Sequence, residues 1–308
     1  NEAGLDFYDR LIDGCKERGI KTNATLYHWD LPQPLEDRGG WADRQIVDPF
    51  VRFADVMAQH LGDRVKHWIT HNEPWVIAHL GHVTGEHAPG EKKQWLNSFI
   101  CSHHLLVSHG RAVPLIRQNS PGCQVGMTVN LCPAIPASES EADADATRHF
   151  DGFFNRWYLD PLYKGSYPQD VLDDYAEDAS FDGKSYDFIE DGDNAVISIP
   201  TDFLGINYYS RAVIASEELK ERAHRIPDVG PEMRTDMGWE VYPTGIYDLM
   251  KRIHDDYQVN AIIITENGAA YDDAPDENGR VHDHRRTAYI HGHLAAVKRA
   301  ISDGIPVT

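Results

Sequence analysis

The feature that most constrains the fold is a regular alternation of short apolar runs with longer stretches of helical spacing. Strand candidates occupy residues 22–28, 65–71, 124–130, 202–208 and 261–265. Two sets of apolar residues recur at three- and four-residue steps, each marking one helix face: Phe50, Phe53, Ala54, Met57 and Leu61, then Ile246, Leu249, Met250, Ile253 and Tyr257. This alternation is typical of an α/β protein built on a parallel sheet.

Polar or aromatic side chains stand at the carboxyl ends of the strand candidates. They are His28, Trp29, Asn72, Glu73, Asn130, Asn207, Tyr208, Tyr209, Glu266 and Asn267. In parallel α/β proteins this edge of the sheet binds ligands. A doubly wound nucleotide-binding sheet is the alternative, but neither a G-x-G-x-x-G nor a G-x-x-x-x-G-K-[ST] motif follows a strand candidate. We therefore predict a (β/α)8 TIM barrel.

The predicted barrel is incomplete, because eight strands are needed to close it. The chain begins just before a helix with Leu5, Tyr8, Ile12 and Cys15 on one face, and another apolar strand begins at 305–308. We expect residues 1–308 to form a single barrel domain truncated at both termini, with strands 3 to 7 and the start of strand 8. An open barrel exposes strand edges, so we expect this segment alone to be unstable.

Charge excludes several classes of partner. Lys and Arg number 29 against 49 Asp and Glu, a formal charge of -20, so the averaged field repels nucleic acid and anionic lipid. No apolar run is long enough for a membrane span. The four cysteines form no C-x-x-C pair, which predicts free thiols in a reducing, cytoplasmic location. The sequence does not determine the oligomeric state, and a homo-oligomer is one of the states left open.

Two motifs place a glutamate where an apolar strand ends, Glu73 in THNEPW (70–75) and Glu266 in ITENG (264–268). Glycosidic bond cleavage needs such a pair, with one acid to protonate the departing oxygen and one base or nucleophile at the anomeric carbon. A solvated or helix-capping carboxylate is the ordinary alternative for either residue.

The chain resembles glycoside hydrolase family 1. The resemblance is carried, in this order, by TLYHWDLP (25–32), GGW (39–41), NEP (72–74), NYY (207–209) and ITENG (264–268), and extends to GDRV (62–65), HAPG (87–90) and MGWE (237–240). It implies a (β/α)8 barrel of β-glucosidase type that hydrolyses β-linked glycosides or small oligosaccharides with retention and needs no metal or organic cofactor.

The resemblance also implies residue roles. Glu73 is the expected acid/base after the fourth strand and Glu266 the expected nucleophile after the seventh. Of the expected substrate-binding residues, Asn72 would bond the sugar 2-hydroxyl and Tyr209 would hold Glu266. The remaining substrate-binding candidates are His28, Trp29, Asn207, Trp75 and Trp239. Core packing is the alternative for His28, Tyr209 and the three tryptophans.

The expected mechanism is a double displacement. In retaining enzymes the two carboxyl groups lie about 5–5.5 Å apart, so an ionised Glu266 raises the pKa of Glu73 and keeps it protonated. Attack by Glu266 forms an ester and removes that charge, after which Glu73 accepts a proton from water.

Several alternatives stay open. A 6-phospho-β-glycosidase is one, although Trp29 favours unphosphorylated sugar; a sugar-binding pseudoenzyme or an inactive fragment are others. Family members supply a Gln, an Arg and Trp-Ser plus Glu-Trp segments that this sequence lacks, so preference among glucose, galactose and fucose stays undetermined. Histidines at 103, 104 and 109, and the pairs 282/284 and 291/293, lack metal-ligand spacing, and we predict no metal site.

Overall fold

The computed structural model describes residues 1–176, 186–216 and 229–308. These form two compact units. Unit 1 comprises Asn1–Asn130 and Tyr158–Gly205, and unit 2 comprises Leu131–Trp157 and Ile206–Thr308. Within the described ranges, no helix combines the length and apolar character needed to cross a membrane.

All five predicted strands are confirmed, with ends within two residues of the predicted ones. They are β1 (Asn23–Tyr27), β2 (His67–Asn72), β3 (Gln124–Asn130), β5 (Phe203–Asn207) and β7 (Ile262–Glu266). Two further strands, β4 (Ala134–Pro136) and β6 (Ala212–Ile214), pair in parallel as a separate small sheet that the sequence pattern did not predict.

Helices occupy most of the intervening segments. The α-helices are α1 (Glu2–Glu17), α2 (Gln33–Glu36), α3 (Val47–Leu61), α4 (Trp95–Asn119), α5 (Glu141–Asp151), α6 (Trp157–Lys164), α7 (Gln169–Ala176), α8 (Asp193–Ile197), α9 (Thr244–Tyr257) and α10 (His284–Ser302). Val76–Thr84 and Gly152–Arg156 are π-helical, and Gly40–Ala42, Arg44–Ile46 and Pro231–Met233 are 3₁₀-helical.

Unit 1 is built on parallel strands in the order β1, β2, β3, followed by the first residues of β5. The register of β1 and β2 sets Tyr27 beside His71, so their carboxyl ends reach the same level of the sheet. Helix α4 packs against α3 and against β2 and β3, and side chains such as Trp68 and Leu105 are fully buried. Parallel strands covered by helices are the arrangement expected of a βαβ fold.

Unit 2 contains the last residues of β5, which lie beside β7. Helices α9 and α10 pack against each other. Val307 forms a parallel bridge with Ile262, and the Ile262 N–H donates to Pro306 O at 2.8 Å, so the predicted start of a further strand is confirmed.

Two residues on the predicted helix faces are exposed. Phe53 on α3 is 44% exposed, and Tyr8 on α1 is 47% exposed. At 100° per residue, Phe53 lies about 60° from Phe50, at the margin of the face that Ala54, Met57 and Leu61 share. The five apolar residues predicted for α9 are all buried.

Candidate active site

The carboxyl end of β1 contributes His28 and Trp29 in unit 1, and both contact Asn72 at the end of β2. The Trp29 Nε1–H donates to the Asn72 backbone oxygen at 3.0 Å. The Asn72 side-chain amide and His28 Nε2 lie 3.2 Å apart. Asn72 is only 4% exposed, so two neighbouring residues hold its backbone and side chain in a buried position.

Glu73 directly follows β2 and adopts a left-handed backbone, with φ at 51°. Its N–H donates to Thr128 O of β3 at 2.9 Å, and its own carbonyl accepts from Val76 N–H at 3.0 Å. The β2–β3 register shifts between Ile69 and Asn72, an irregularity that re-aims side chains at a strand end. Glu73 is 6% exposed. The chain therefore turns sharply at this residue.

Trp75 begins the turn that leads into the π-helix Val76–Thr84. Its ring stacks on His79, with ring centroids 5.0 Å apart, and it is partly exposed. π-Helical segments are rare and occur often at functional sites. Trp75 thus lies two residues beyond Glu73 in a segment of unusual backbone geometry.

In unit 2, Glu266 is the last residue of β7, and its carboxylate Oε2 accepts a short hydrogen bond from the Tyr209 hydroxyl. The Glu266 carbonyl also accepts from Tyr208 N–H at 3.1 Å. Trp239 packs on the Tyr209 ring at a centroid distance of 5.3 Å. Three sequence-predicted residues, Tyr209, Trp239 and Glu266, therefore form one contact chain.

Asn207, at the end of β5, is held by the residue before Glu266. Thr265 Oγ1 donates to Asn207 Oδ1 at 2.6 Å, and Asn207 is 1% exposed. An amide whose oxygen is occupied in this way is oriented, because its nitrogen must then point elsewhere.

A supporting layer in unit 2 was missed by the sequence reasoning. The Tyr289 hydroxyl of α10 donates to Tyr209 O at 3.1 Å and accepts from Asn267 Nδ2 at 3.1 Å. Asn267 also donates to Tyr208 O at 2.8 Å. Burial raises the pKa of Tyr289, so its hydroxyl is a neutral donor. Asn267 was already identified as a strand-end residue beside Glu266, whereas nothing in the local pattern distinguishes Tyr289.

The histidines at 103, 104 and 109 bind separate partners. His103 Nε2 contacts Asp193 at 2.8 Å, His104 Nδ1 contacts Trp41 O at 2.8 Å, and His109 Nδ1 contacts Thr70 Oγ1 at 2.7 Å. Each ring thus serves the packing of α4 against a different element.

Comparisons with known proteins give the family. Residues 1–308 match the model of Glycosyl hydrolase family 1. The chain is 43% identical over 307 residues to β-glucosidase A of Acetivibrio thermocellus, covering 99% of this chain and 67% of that protein.

Solved structures show the same likeness. The AHE enzyme from Alicyclobacillus herbarius is similar with a TM-score of 0.93 and 43% identity, over 100% of this chain and 68% of that one. The Thermotoga maritima β-glucosidase in complex with glucoimidazole is similar with a TM-score of 0.90 and 38% identity, over 100% and 67%.

The fold and these similarities define a (β/α)8-barrel O-glycosyl hydrolase. The five-stranded sheet of the described residues forms part of that barrel. The chain belongs to glycosyl hydrolase family 1. Its function class is that of the family, retaining β-glycosidases of β-glucosidase type.

Proposed function

We propose that the chain hydrolyses small β-glucosides and related β-glycosides or oligosaccharides, with Glu73 as acid/base and Glu266 as nucleophile. The observation that carries the proposal is the hydrogen bond from Tyr209 to Glu266 at a strand end. A carboxylate with one oxygen bonded to a hydroxyl is fixed in direction, which an attacking group requires. Because Oε2 accepts from Tyr209, we assign the attack on the anomeric carbon to Oε1.

The role of Glu73 is supported by its backbone. A non-glycine residue in the left-handed region costs about 1–3 kcal/mol, and such residues cluster at active sites. Glu73 also follows Asn72, whose amide we assign to the sugar 2-hydroxyl. In the first step Glu73 gives its proton to the leaving oxygen while Glu266 forms the glycosyl ester. In the second step it takes a proton from water, which attacks the same carbon and releases Glu266.

The substrate class is supported by the names of the relatives. Those reported above include a β-glucosidase and a β-glucosidase bound to glucoimidazole. We assign His28 and Trp29 to the sugar ring, and Trp75 and Trp239 to the leaving-group side, since aromatic rings stack on the apolar C–H faces of sugars. Asn207 is assigned to substrate binding through its amide nitrogen.

Azide rescue tests both carboxylates in the full-length natural protein. Glu266→Gly should lose hydrolysis of aryl β-glucosides, and added azide should give the α-glucosyl azide, because azide attacks in place of the missing nucleophile. Glu73→Gly should instead give the β-glucosyl azide, formed by azide attack on the glycosyl ester.

The matched control is Glu277→Gly, a change at an exposed glutamate of unit 2 that should leave hydrolysis intact. Product configuration is read by proton NMR. An active Glu266→Gly enzyme that azide does not affect would contradict the assignment of the nucleophile.

We also propose that residues 1–308 are part of one glycosidase domain and that the protein is cytoplasmic. The family match over the whole chain supports the first proposal. Four free cysteines and a net charge of -20 support the second. Recovery of the natural protein from the culture medium or periplasm would contradict the proposed location.

A further inference from the structure

Two non-glycine residues with left-handed backbones stand side by side at the ends of β1 and β2. Trp29 has φ at 75° and Glu73 has φ at 51°. Each lies two residues beyond the aligned pair Tyr27 and His71, so they occupy matching positions on neighbouring strands. Side chains at such φ values are uncommon, and the conformation persists only where surrounding contacts enforce it.

Two of the contacts that hold the backbone at Glu73 are on one peptide group. The Asn72 carbonyl accepts from the Trp29 indole N–H at 3.0 Å, and the Glu73 N–H donates to Thr128 O at 2.9 Å. The peptide joining Asn72 to Glu73 is therefore held from β1 on one side and from β3 on the other. A rotation that relaxed the φ angle of Glu73 would move this peptide and weaken both bonds.

The Trp29 indole is held both by ring contacts and by the hydrogen bond from its N–H. Its ring contacts His28 and His87 at centroid distances of 5.0 and 5.1 Å. Trp29 also lines a cavity of about 70 Å³, shared with Trp41, so part of its surface lacks close neighbours. The N–H bond to Asn72 is thus the directional contact that fixes the indole against β2.

We infer that Trp29 is a positioning residue for Glu73, acting through the Asn72–Glu73 peptide as well as at the sugar ring. This inference rests on the proposed acid/base role of Glu73. Loss of the indole N–H removes one hydrogen bond, which is worth about 0.5–1.5 kcal/mol. If that free energy is expressed in proton donation, the rate of that step falls about 2- to 12-fold.

The leaving group distinguishes this role from a sugar contact. Cleavage of an alkyl glucoside needs proton donation by Glu73, whereas a dinitrophenolate departs without it. A lost contact to glucose affects both substrates equally, because they share the glycone. A displaced acid affects only the alkyl glucoside.

The experiment compares kcat/KM for methyl β-glucoside and 2,4-dinitrophenyl β-glucoside in the full-length natural protein. Trp29→Phe should lower the value for the methyl glucoside about 2- to 12-fold more than the value for the dinitrophenyl glucoside. Replacement of Trp29 by benzothienylalanine, which keeps the indole shape and lacks the N–H, should do the same and guards against a folding defect. Trp41→Phe, an indole change at the same cavity, should show no such selectivity.

The outcomes separate the two proposals. Equal losses on both substrates, or no loss, in the Trp29 variants overturn the positioning role. Glu73→Gln measured in parallel should show a much larger selective loss, since general acid catalysis contributes about 10²–10⁴-fold. If Glu73→Gln shows no selectivity, the proposed acid/base role fails, and the positioning role fails with it.

Discussion

Four buried histidines around β2 and α4 should make the protein sensitive to mild acid. Burial lowers the pKa of His71, His103, His104 and His109, to about 4 for His103 and about 3 for His109. At His103 burial outweighs the opposing effect of Asp193, which bonds the ring. All four rings are therefore neutral in the folded protein at neutral pH.

The direction in which stability changes with pH follows from the pH at which the folded and the unfolded chain each bind protons. The unfolded chain binds a proton at each histidine near pH 6.5, whereas the folded chain does not until the pH is much lower. Stability from these groups is complete above about pH 6.5 and is lost as the pH falls toward about 4. Each ring that stays neutral in the folded protein contributes about 1 kcal/mol between pH 6.5 and 5.5, because the unfolded imidazole is only half protonated at pH 6.5. His103 and His109 together contribute about 2 kcal/mol, and His71 and His104 act in the same direction.

A loss of about 2 kcal/mol is a substantial part of the free energy of unfolding of a typical domain, about 5–15 kcal/mol. Urea unfolding of the full-length natural protein at pH 7.5, 6.5 and 5.5, followed by tryptophan fluorescence, measures it. His109→Gln should reduce the slope between pH 6.5 and 5.5 by about 1 kcal/mol per unit. His284→Gln, at an exposed ring, is the matched control and should leave the slope unchanged.

An unfolding free energy that stays constant between pH 6.5 and 5.5 would refute the reasoning. It would show that the four rings take up protons in the folded protein as readily as in the unfolded chain.

Two stability predictions concern single sites. Asp151→Asn breaks a bidentate ion pair with Arg252, whose two N···O distances are 2.5 and 2.8 Å. The free energy of unfolding should fall by about 3 kcal/mol. This is the low end for buried pairs, because the Arg252 side chain is 35% exposed. Asp255→Asn on the same α9 helix breaks an exposed pair and should cost under about 0.5 kcal/mol; equal costs in urea unfolding would contradict this. Gly126→Ala places a Cβ 2.4 Å from Phe203 O and should lower stability by about 1–3 kcal/mol or more, so an unchanged melting temperature would show that the strands move apart freely.

The fold was predictable where the period of the sequence was strong. Buried parallel strands leave apolar runs of five to seven residues, too short for a typical helix, and α9 shows an uninterrupted helical face. The pairing of β4 with β6 was not predictable, because three-residue strands carry no period. The exposure of Phe53 was not predictable from spacing alone, because a three-residue step places a side chain at the margin of a helix face.

The site was predictable in its residue types and only partly in its contacts. The placement of Glu266 at a strand end and its contact with Tyr209 are confirmed. The hydrogen bond from Trp29 to the Asn72 carbonyl was not predicted, because every residue carries a backbone carbonyl and the sequence does not show which one accepts. Tyr289 was missed for the same reason, since its hydroxyl bonds the Tyr209 backbone from a helix eighty residues later.

At residue 73 the left-handed backbone favours glycine, whereas the proposed chemistry needs a carboxyl group. Glycine alone adopts that conformation without steric penalty, so the side chain at residue 73 raises the conformational free energy of the folded chain. The carboxyl group of Glu73 is therefore held in the folded protein at a conformational cost that glycine would not carry.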